Sequence, residues 1–126
     1  MCLSEHIGSL LNGLQLFKML VIIESPYKGK IKQNLSYAKK CMFDSLMRGE
    51  SPFASHLLYT QVLDDAIKKQ RTMGMDRAFN WYKHADLMAV YIDKGVSDGM
   101  KKGMEIAENL GIEMVYRTLD GNNSRG

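Results

Sequence analysis

Short apolar runs alternate along the chain with stretches in which apolar residues recur every three or four positions. The runs predict strands at about 20–23, 52–59, 86–92 and 112–116, the second a brief buried strand followed by a loop. The periodic stretches predict helices at about 32–48, 66–84 and 98–110. Strands alternating with helices imply right-handed crossovers and a parallel sheet covered on both faces. The pattern therefore predicts a small doubly wound parallel α/β domain, Rossmann-like, with strand order 2-1-3-4.

The last helix has the clearest boundary signals. Ser97 suits the N-cap, because its hydroxyl can accept a hydrogen bond from a free backbone amide, and Asp98 complements the positive helix end. Gly111 is a typical helix stop. The face that includes Met100 and Met104 is expected to pack on the sheet. In the preceding helix, the residues expected to share one face are Ile67, Gly74, Ala78 and Trp81.

Both ends of the chain differ from this pattern. Apolar residues between 5 and 17 are spaced by three and four and predict an amphipathic N-terminal helix. Because Met19 directly precedes the first strand, residues 1–18 could equally be an upstream extension of a domain that spans residues 19–119. Residues 120–126 are polar and glycine-rich, which predicts a flexible tail.

Composition narrows the class of protein. A chain of 126 residues has room for one domain with a real core. The charge of +3 arises from 17 basic and 14 acidic residues that are mixed along the chain, so we expect no nucleic-acid partner. No apolar run approaches the length of a membrane span and no signal peptide is evident, so we expect a soluble cytoplasmic protein without a membrane partner.

Cysteines and histidines give no sign of a metal site or a disulfide framework. Cys2 and Cys41 lie far apart, and Cys41 falls on the apolar side of its predicted helix, so we interpret both as reduced thiols. The three histidines are dispersed, without the spacing of a zinc ligand set. The sequence therefore predicts neither a metal nor another cofactor.

The turns that follow the first and third strands predict a ligand site. In an open parallel sheet, ligands bind outside the carboxyl ends of the strands, where the strand order reverses. The residues expected to bind the ligand there, or in the loop after the second strand, are Ser25, Pro26, Tyr27, Ser55, His56, Asp64, Asp93, Gly95, Ser97, Gly99 and Met100.

The turn before the last helix offers groups that suit an anion or a sugar. Backbone amides near Gly95 and Gly99, with the Ser97 hydroxyl, could receive a phosphate, a carboxylate or a sugar oxygen. The turn matches neither the dinucleotide fingerprint nor the phosphate loop of nucleotide hydrolases. An ordinary strand-to-helix turn is the alternative.

Two carboxylates are candidate catalytic residues. Glu24 ends the first strand, where partial burial would raise its pKa and suit it to act as an acid, base or nucleophile. Asp93 ends the third strand and could bind ribose hydroxyls, react, or hold the turn. Each could instead be structural. A catalytic His56 assisted by Asp64 is a weaker hypothesis, because lone histidines more often satisfy a local hydrogen bond.

Aromatic residues supply a possible base-stacking surface. Tyr27, Tyr59 and Trp81 could stack on a nucleobase, although aromatic side chains near a sheet usually belong to the core.

Several runs resemble an uncharacterised family that is common in phage and bacterial genomes, over about residues 19–119. They include VIIESP at 21–26, RGESPFASHLLYTQ at 48–61 and the turn and helix at 91–107. That family is distantly similar to nucleoside 2-deoxyribosyltransferases, whose small parallel-sheet domains bind nucleosides or nucleotides and act on the N-glycosidic bond. In those relatives the last helix carries a catalytic glutamate. The corresponding position here is Gly103, and Glu105 lies too far round the helix to replace it.

The resemblance and this departure leave two functions open. The favoured one is a phage-encoded protein that sequesters a nucleotide or nucleoside, for example an anti-defence trap for a host nucleotide signal in the host cytoplasm. We expect a homo-oligomer that completes the pocket. The alternative is an N-glycosidic hydrolase or (deoxy)ribosyltransferase in which Glu24 or Asp93 has taken over the reaction. An adaptor that uses its N-terminal helix has the least support.

Overall fold

The computed structural model describes residues 19–121 and the backbone of residues 123–125. The predicted helix over 5–17 lies outside the described residues. The elements run in the order β1 (Leu20–Glu24), α1 (Ile31–Met47), β2 (Ser51–Phe53), α2 (Lys68–Tyr82), β3 (Leu87–Tyr91), α3 (Asp98–Asn109), β4 (Glu113–Arg117) and β5 (Asn123–Arg125). Two short 3-10 turns, Ser55–Leu57 and Tyr59–Gln61, connect β2 to α2.

The strands form one sheet in the order β2-β1-β3-β4-β5. The first four are parallel, which confirms the predicted α/β fold and strand order. β5 pairs antiparallel with β4, within the segment for which a flexible tail is predicted. The strand order reverses between β1 and β3, where Glu24 pairs with Val90. The carboxyl end of β1 therefore lies at the edge where ligands of doubly wound folds bind.

Helices cover both faces of the sheet, and alternate residues of each strand point to opposite faces. On one face, α1 buries Tyr37 and Cys41 against Val21 and Ile23. On the other face, α2 and α3 pack on the side chains that point the other way: Ile22, Met88 and Val90 with Tyr82, Met100 and Ala107. Because it is covered on both sides, β3 is buried along its whole length, as its unbroken apolar sequence predicts.

The second predicted strand is much shorter than expected. Only Ser51–Phe53 forms a strand, none of these residues is buried, and Leu58 is 43% exposed. β2 is an edge strand, a position that tolerates Pro52 because its outer side needs no backbone N–H donor. The residues that follow β2 form the two 3-10 turns beside α2 instead of continuing the strand. The expectation of a buried strand over 52–59 was therefore wrong.

The predicted face of α2 is also shifted. Ile67 and Trp81 are 47% and 51% exposed, whereas Ala78 and Tyr82 are buried. Trp81 instead stacks on Phe53 of the edge strand, with ring centroids 5.4 Å apart.

The predicted cap of α3 is confirmed. Ser97 Oγ accepts a hydrogen bond from the Met100 amide at 3.3 Å, and Gly111 follows the helix with a φ of +74°. No helix in the described part of the chain is both long enough and apolar enough to cross a lipid bilayer.

Candidate functional site

A cavity of about 630 Å³ opens at the carboxyl end of β1. Its wall comes from the loop after β1, the 3-10 turns, α2 and the first turns of α3. Its volume lies within the range of pockets that hold small organic ligands. We call one part the buried end, formed by Glu24, Ala78, Tyr82 and Gly103, and another the rim, formed by Lys28, Asp98, Gly99 and Lys102. The remaining lining residues, all partly buried, are Tyr27, Ser55, His56, Tyr59, Thr60, Leu63, Asp65, Gln70, Arg71, Gly74, Met75, Phe79 and Ser97.

Glu24 supplies the only carboxyl of the buried end. The residue is 5% exposed, and the Tyr82 hydroxyl donates a hydrogen bond to Glu24 Oε2 at 2.9 Å. Among the described residues, no cationic side chain forms an ion pair with it. Burial raises the pKa of Glu24 to about 8, although the Tyr82 hydrogen bond opposes the rise. At neutral pH this carboxyl is therefore predominantly protonated.

Gly103 provides the space that the Glu24 carboxyl occupies. A Cβ at position 103 would overlap Glu24 Oε2 and would lie 3.0 Å from Glu24 Cδ and 3.2 Å from the Tyr82 hydroxyl. These separations are shorter than van der Waals contact. A side chain at position 103 and the present conformation of Glu24 therefore exclude each other.

Tyr27 and His56 form an aromatic part of the cavity wall. Their rings stack with centroids 4.8 Å apart and an interplanar angle of 21°. Burial lowers the pKa of His56, opposed by a hydrogen bond with the Ser25 backbone and by the charge of Asp65. His56 is therefore neutral at physiological pH, and the pair presents an uncharged flat surface.

Three cationic side chains line the cavity from three parts of the chain. Lys28 lies in the loop after β1, Arg71 lies on α2 and Lys102 lies on α3. Arg71 is half-buried, whereas the two lysines are exposed. Two acidic residues, Asp65 and Asp98, also line the cavity. The lining of the cavity therefore carries a small excess of positive charge when Glu24 is neutral.

The structure brings together six of the predicted site residues in the lining of this cavity: Glu24, Tyr27, Ser55, His56, Ser97 and Gly99. Six others lie outside the lining: Ser25, Pro26, Asp64, Asp93, Gly95 and Met100. Met100 is 1% exposed and belongs to the core. Ser25 is also buried, and its Oγ has no hydrogen-bond partner within the described part of the chain.

Asp93 has a structural environment on the α1 side. The Tyr37 hydroxyl donates to Asp93 Oδ1 at 2.5 Å, and the Leu119 amide donates to Oδ2 at 3.0 Å. These bonds connect the turn after β3 to α1 and to the segment after β4. The carboxylate is thus held away from Glu24 and its cavity.

Sequence reasoning did not identify Tyr82, Arg71, Lys28 or Lys102 as site residues. For Tyr82, the signal was a four-residue spacing: Gly74, Ala78 and Tyr82 recur at this interval and all line the cavity. The charged residues have no comparable signal in the sequence. Within the described residues, no three His, Cys, Asp or Glu side chains come close enough together to hold a metal ion.

Comparisons with known proteins agree with this architecture. Residues 19–117 match the model of a family described as a domain of unknown function, DUF7768. A search of curated proteins finds no match to the chain. One similar solved structure is a 2-deoxyribosyltransferase from Bacillus psychrosaccharolyticus, with a TM-score of 0.64 and 16% identity, covering 79% of this chain and 72% of that one. At this identity, the likeness demonstrates a shared fold.

Proposed function

We propose that this chain, which belongs to the DUF7768 family, binds a nucleoside or nucleotide in its cavity and cleaves or transfers the N-glycosidic bond. The proposal rests on the geometry of the cavity. Glu24 is the reacting carboxyl. One observation carries this proposal, namely that the Glu24 carboxyl is buried in the wall of a ligand-sized cavity with a tyrosine hydroxyl as its hydrogen-bond partner.

A buried carboxyl without a cationic partner is unfavourable for stability, because desolvation opposes its ionisation. Such groups are common at catalytic sites, where burial adjusts the pKa toward the working pH. The pKa of about 8 lets Glu24 exchange a proton near neutrality. Its location at the switch point of the sheet also favours a role in catalysis.

The shape and charge of the cavity favour a nucleoside or nucleotide. The stacked Tyr27 and His56 rings offer a flat surface for a base. Lys28 and Lys102 at the rim, together with Arg71, can attract the phosphate of a nucleotide. The fold shared with a 2-deoxyribosyltransferase supports the same ligand class.

Sequestration of a nucleotide-derived ligand without turnover is the second candidate. It is favoured by the absence of a second carboxyl beside Glu24 among the described residues of the buried end, since Asp93 bonds to Tyr37 and Leu119. Two-carboxylate mechanisms of glycoside cleavage need such a partner. Asp65 and Asp98 line the cavity, but neither belongs to the buried end.

The test is incubation of the purified protein with nucleosides, 2′-deoxynucleotides, cyclic nucleotides and NAD derivatives, followed by mass spectrometry of the free and heat-released fractions. Release of a free base or formation of a new nucleoside supports the enzyme. Glu24→Gln should abolish that product while retaining binding. The matched control is Glu105→Gln, an exposed glutamate on α3 outside the cavity, which should leave turnover unchanged.

Recovery of one intact ligand from the heat-released fraction, with no product from any compound, would support sequestration and contradict the enzyme. Failure to bind or convert any member of the panel would contradict both candidates.

A further inference from the structure

We propose that Glu24 acts as a general acid, donating the proton on Oε1 to the departing base, and that Tyr82 and Gly103 are positioning residues that hold its other oxygen. This inference rests on the proposed function. It goes further by assigning a role to each carboxyl oxygen and by naming two residues that act through Glu24.

The two oxygens of Glu24 have different surroundings. Oε2 accepts the hydrogen bond from Tyr82 at 2.9 Å and lies against Gly103. Oε1 receives no hydrogen bond from the described residues, yet the side chain lines the cavity. The proton on a neutral Glu24 can therefore reside on Oε1, where a bound ligand can receive it.

The close approach of a neighbouring side chain is specific to Gly103. Gly99, four residues earlier on α3, would place a Cβ no closer than 4.0 Å to a neighbouring atom, which is Ser97 Oγ. Glycine in a helix interior is less stable than alanine. A glycine at position 103 is explained by the carboxyl that lies against it, whereas crowding does not explain the one at position 99.

Among the described residues, none of the charged groups around the cavity forms an ion pair with Glu24, so its neutral form remains favoured. Besides Glu24, the titratable and charged groups that line it are Tyr27 and Lys28 after β1; His56, Tyr59 and Asp65 between β2 and α2; Arg71 and Tyr82 on α2; and Asp98 and Lys102 on α3. Of these, Tyr82 makes the direct contact with the carboxyl. A buried carboxyl without an ion pair retains its proton to a higher pH than an exposed one.

The reaction balances as a hydrolysis. The bond between the sugar C1′ and the base nitrogen breaks, its electron pair goes to the nitrogen, and the proton of Glu24 Oε1 transfers to the base. A water oxygen bonds to C1′, and a proton of that water passes to the Glu24 carboxylate. The products are a free base and a free sugar or sugar phosphate, and Glu24 is protonated again for the next cycle.

The first measurement is NMR titration of the full chain, carrying glutamate labelled with ¹³C at the side-chain carboxyl, between pH 4 and 10. Glu24→Gln identifies the Glu24 signal by its loss. We expect that signal to titrate near pH 8, and Tyr82→Phe to raise its midpoint, because the hydrogen bond that favours ionisation is lost. Gly103→Ala should displace the carboxyl and change both its chemical shift and its midpoint.

Two control variants separate these effects from general perturbation. Tyr116→Phe removes a hydroxyl from the same core cluster, and Gly99→Ala adds a methyl group to the same helix where there is room. Neither should move the Glu24 midpoint. A Glu24 signal that titrates near pH 4.5, or that moves equally in the controls, would overturn the inference.

The second measurement is the pH profile of kcat on a 2′-deoxynucleoside or its 5′-monophosphate that the wild type converts. A general acid predicts that kcat falls about tenfold per pH unit above the Glu24 midpoint. Tyr82→Phe should shift this limb and leave KM near its wild-type value. A rate that instead rises as Glu24 ionises would identify a base or nucleophile and overturn the inference, although the proposed function would stand.

Absence of turnover with every substrate would overturn the general-acid role together with the proposed function, even if the titration midpoint were near pH 8.

Discussion

Glu24 and Glu50 lie on opposite faces of the same sheet, and both carboxyl groups are largely removed from solvent, but they are compensated in different ways. Glu50 accepts hydrogen bonds from both terminal nitrogens of Arg117, at 2.8 and 2.6 Å, and from the Ser45 hydroxyl at 2.7 Å. Among the described residues, Glu24 accepts one hydrogen bond, from a neutral tyrosine. The first arrangement stabilises a carboxylate, whereas the single hydrogen bond to Glu24 does not offset its burial, so the carboxylic acid form is favoured at neutral pH.

The pKa values of the two groups move in opposite directions for this reason. Burial opposes the ionisation of Glu50, but the hydrogen bonds from Arg117 and Ser45 outweigh it and lower its pKa. Burial raises the pKa of Glu24, and the Tyr82 hydrogen bond is too weak to reverse the effect. The comparison shows that a buried carboxyl fully paired with a guanidinium is a structural element, while one left beside a cavity is a candidate for chemistry.

The largest effect is expected from breaking the ion pair. Glu50→Gln removes the negative charge that faces Arg117, whose side chain is 4% exposed, so we expect a loss of about 3–5 kcal/mol in the free energy of unfolding at pH 7. Because the pKa of Glu50 is lowered by folding, its contribution is present at neutral pH and is lost as the pH falls. Urea unfolding at pH 7 and pH 4 measures both. An equal loss at the two pH values would contradict the pairing argument.

Glu24→Gln is expected to have the opposite sign. Folding raises the pKa of Glu24 from 4.5 to about 8. The protonated group therefore stabilises the wild type fully below pH 4.5, and this stabilisation is lost as the pH rises from 4.5 to about 8. The variant lacks this loss. Relative to wild type, it should gain roughly 2–4 kcal/mol between pH 5 and pH 8, given about 1.4 kcal/mol per pKa unit. Thermal unfolding across this range tests the prediction. A stability difference that does not change with pH would show that Glu24 is ionised in the folded protein.

A smaller effect is expected at Tyr91, whose hydroxyl donates to a carboxylate on the α1 face of the sheet, as the Tyr82 hydroxyl donates to Glu24 on the other face. Tyr91 donates to Asp44 Oδ2 at 2.6 Å and accepts a hydrogen bond from Arg117 at 3.3 Å. Tyr91→Phe removes both bonds without changing the ring, so we expect a loss of about 1–2 kcal/mol in unfolding free energy. Turnover should stay at the wild-type level, since Tyr91 lies outside the cavity. Loss of turnover without loss of stability would contradict the separation of the two faces.

The smallest effect is expected at the outer end of the same network. Arg48 pairs with Asp44 at 2.8 Å one turn away on α1, and both side chains remain partly exposed. Arg48→Ala should cost about 0.5 kcal/mol, the usual contribution of such helical pairs, and 0.5 M salt should weaken the difference. Urea unfolding with and without salt measures it. A loss comparable with that of Glu50→Gln would show that the network acts as one unit.

Part of the candidate site could be predicted from the sequence, because several of its residues lie at or near the carboxyl ends of strands. Glu24, Tyr27 and Ser97 come directly after or close to apolar strands, and a parallel sheet aligns the carboxyl ends of its strands. Asp93 satisfies the same rule but bonds to Tyr37 on the other side of the sheet. Position after a strand therefore identified the edge that holds the site without specifying which way each side chain would point.

The amino-acid sequence by itself determined the parallel α/β fold, the strand order β2-β1-β3-β4 and the cap of α3, because these depend on local periodicity, hydrogen-bonding side chains and crossover handedness. Only the tertiary structure decided the surroundings of Glu24. Tyr82 and Gly103 reach it from two helices that are distant from β1 along the chain. Their effect comes from desolvation and close contact, which depend on how the helices pack on the sheet.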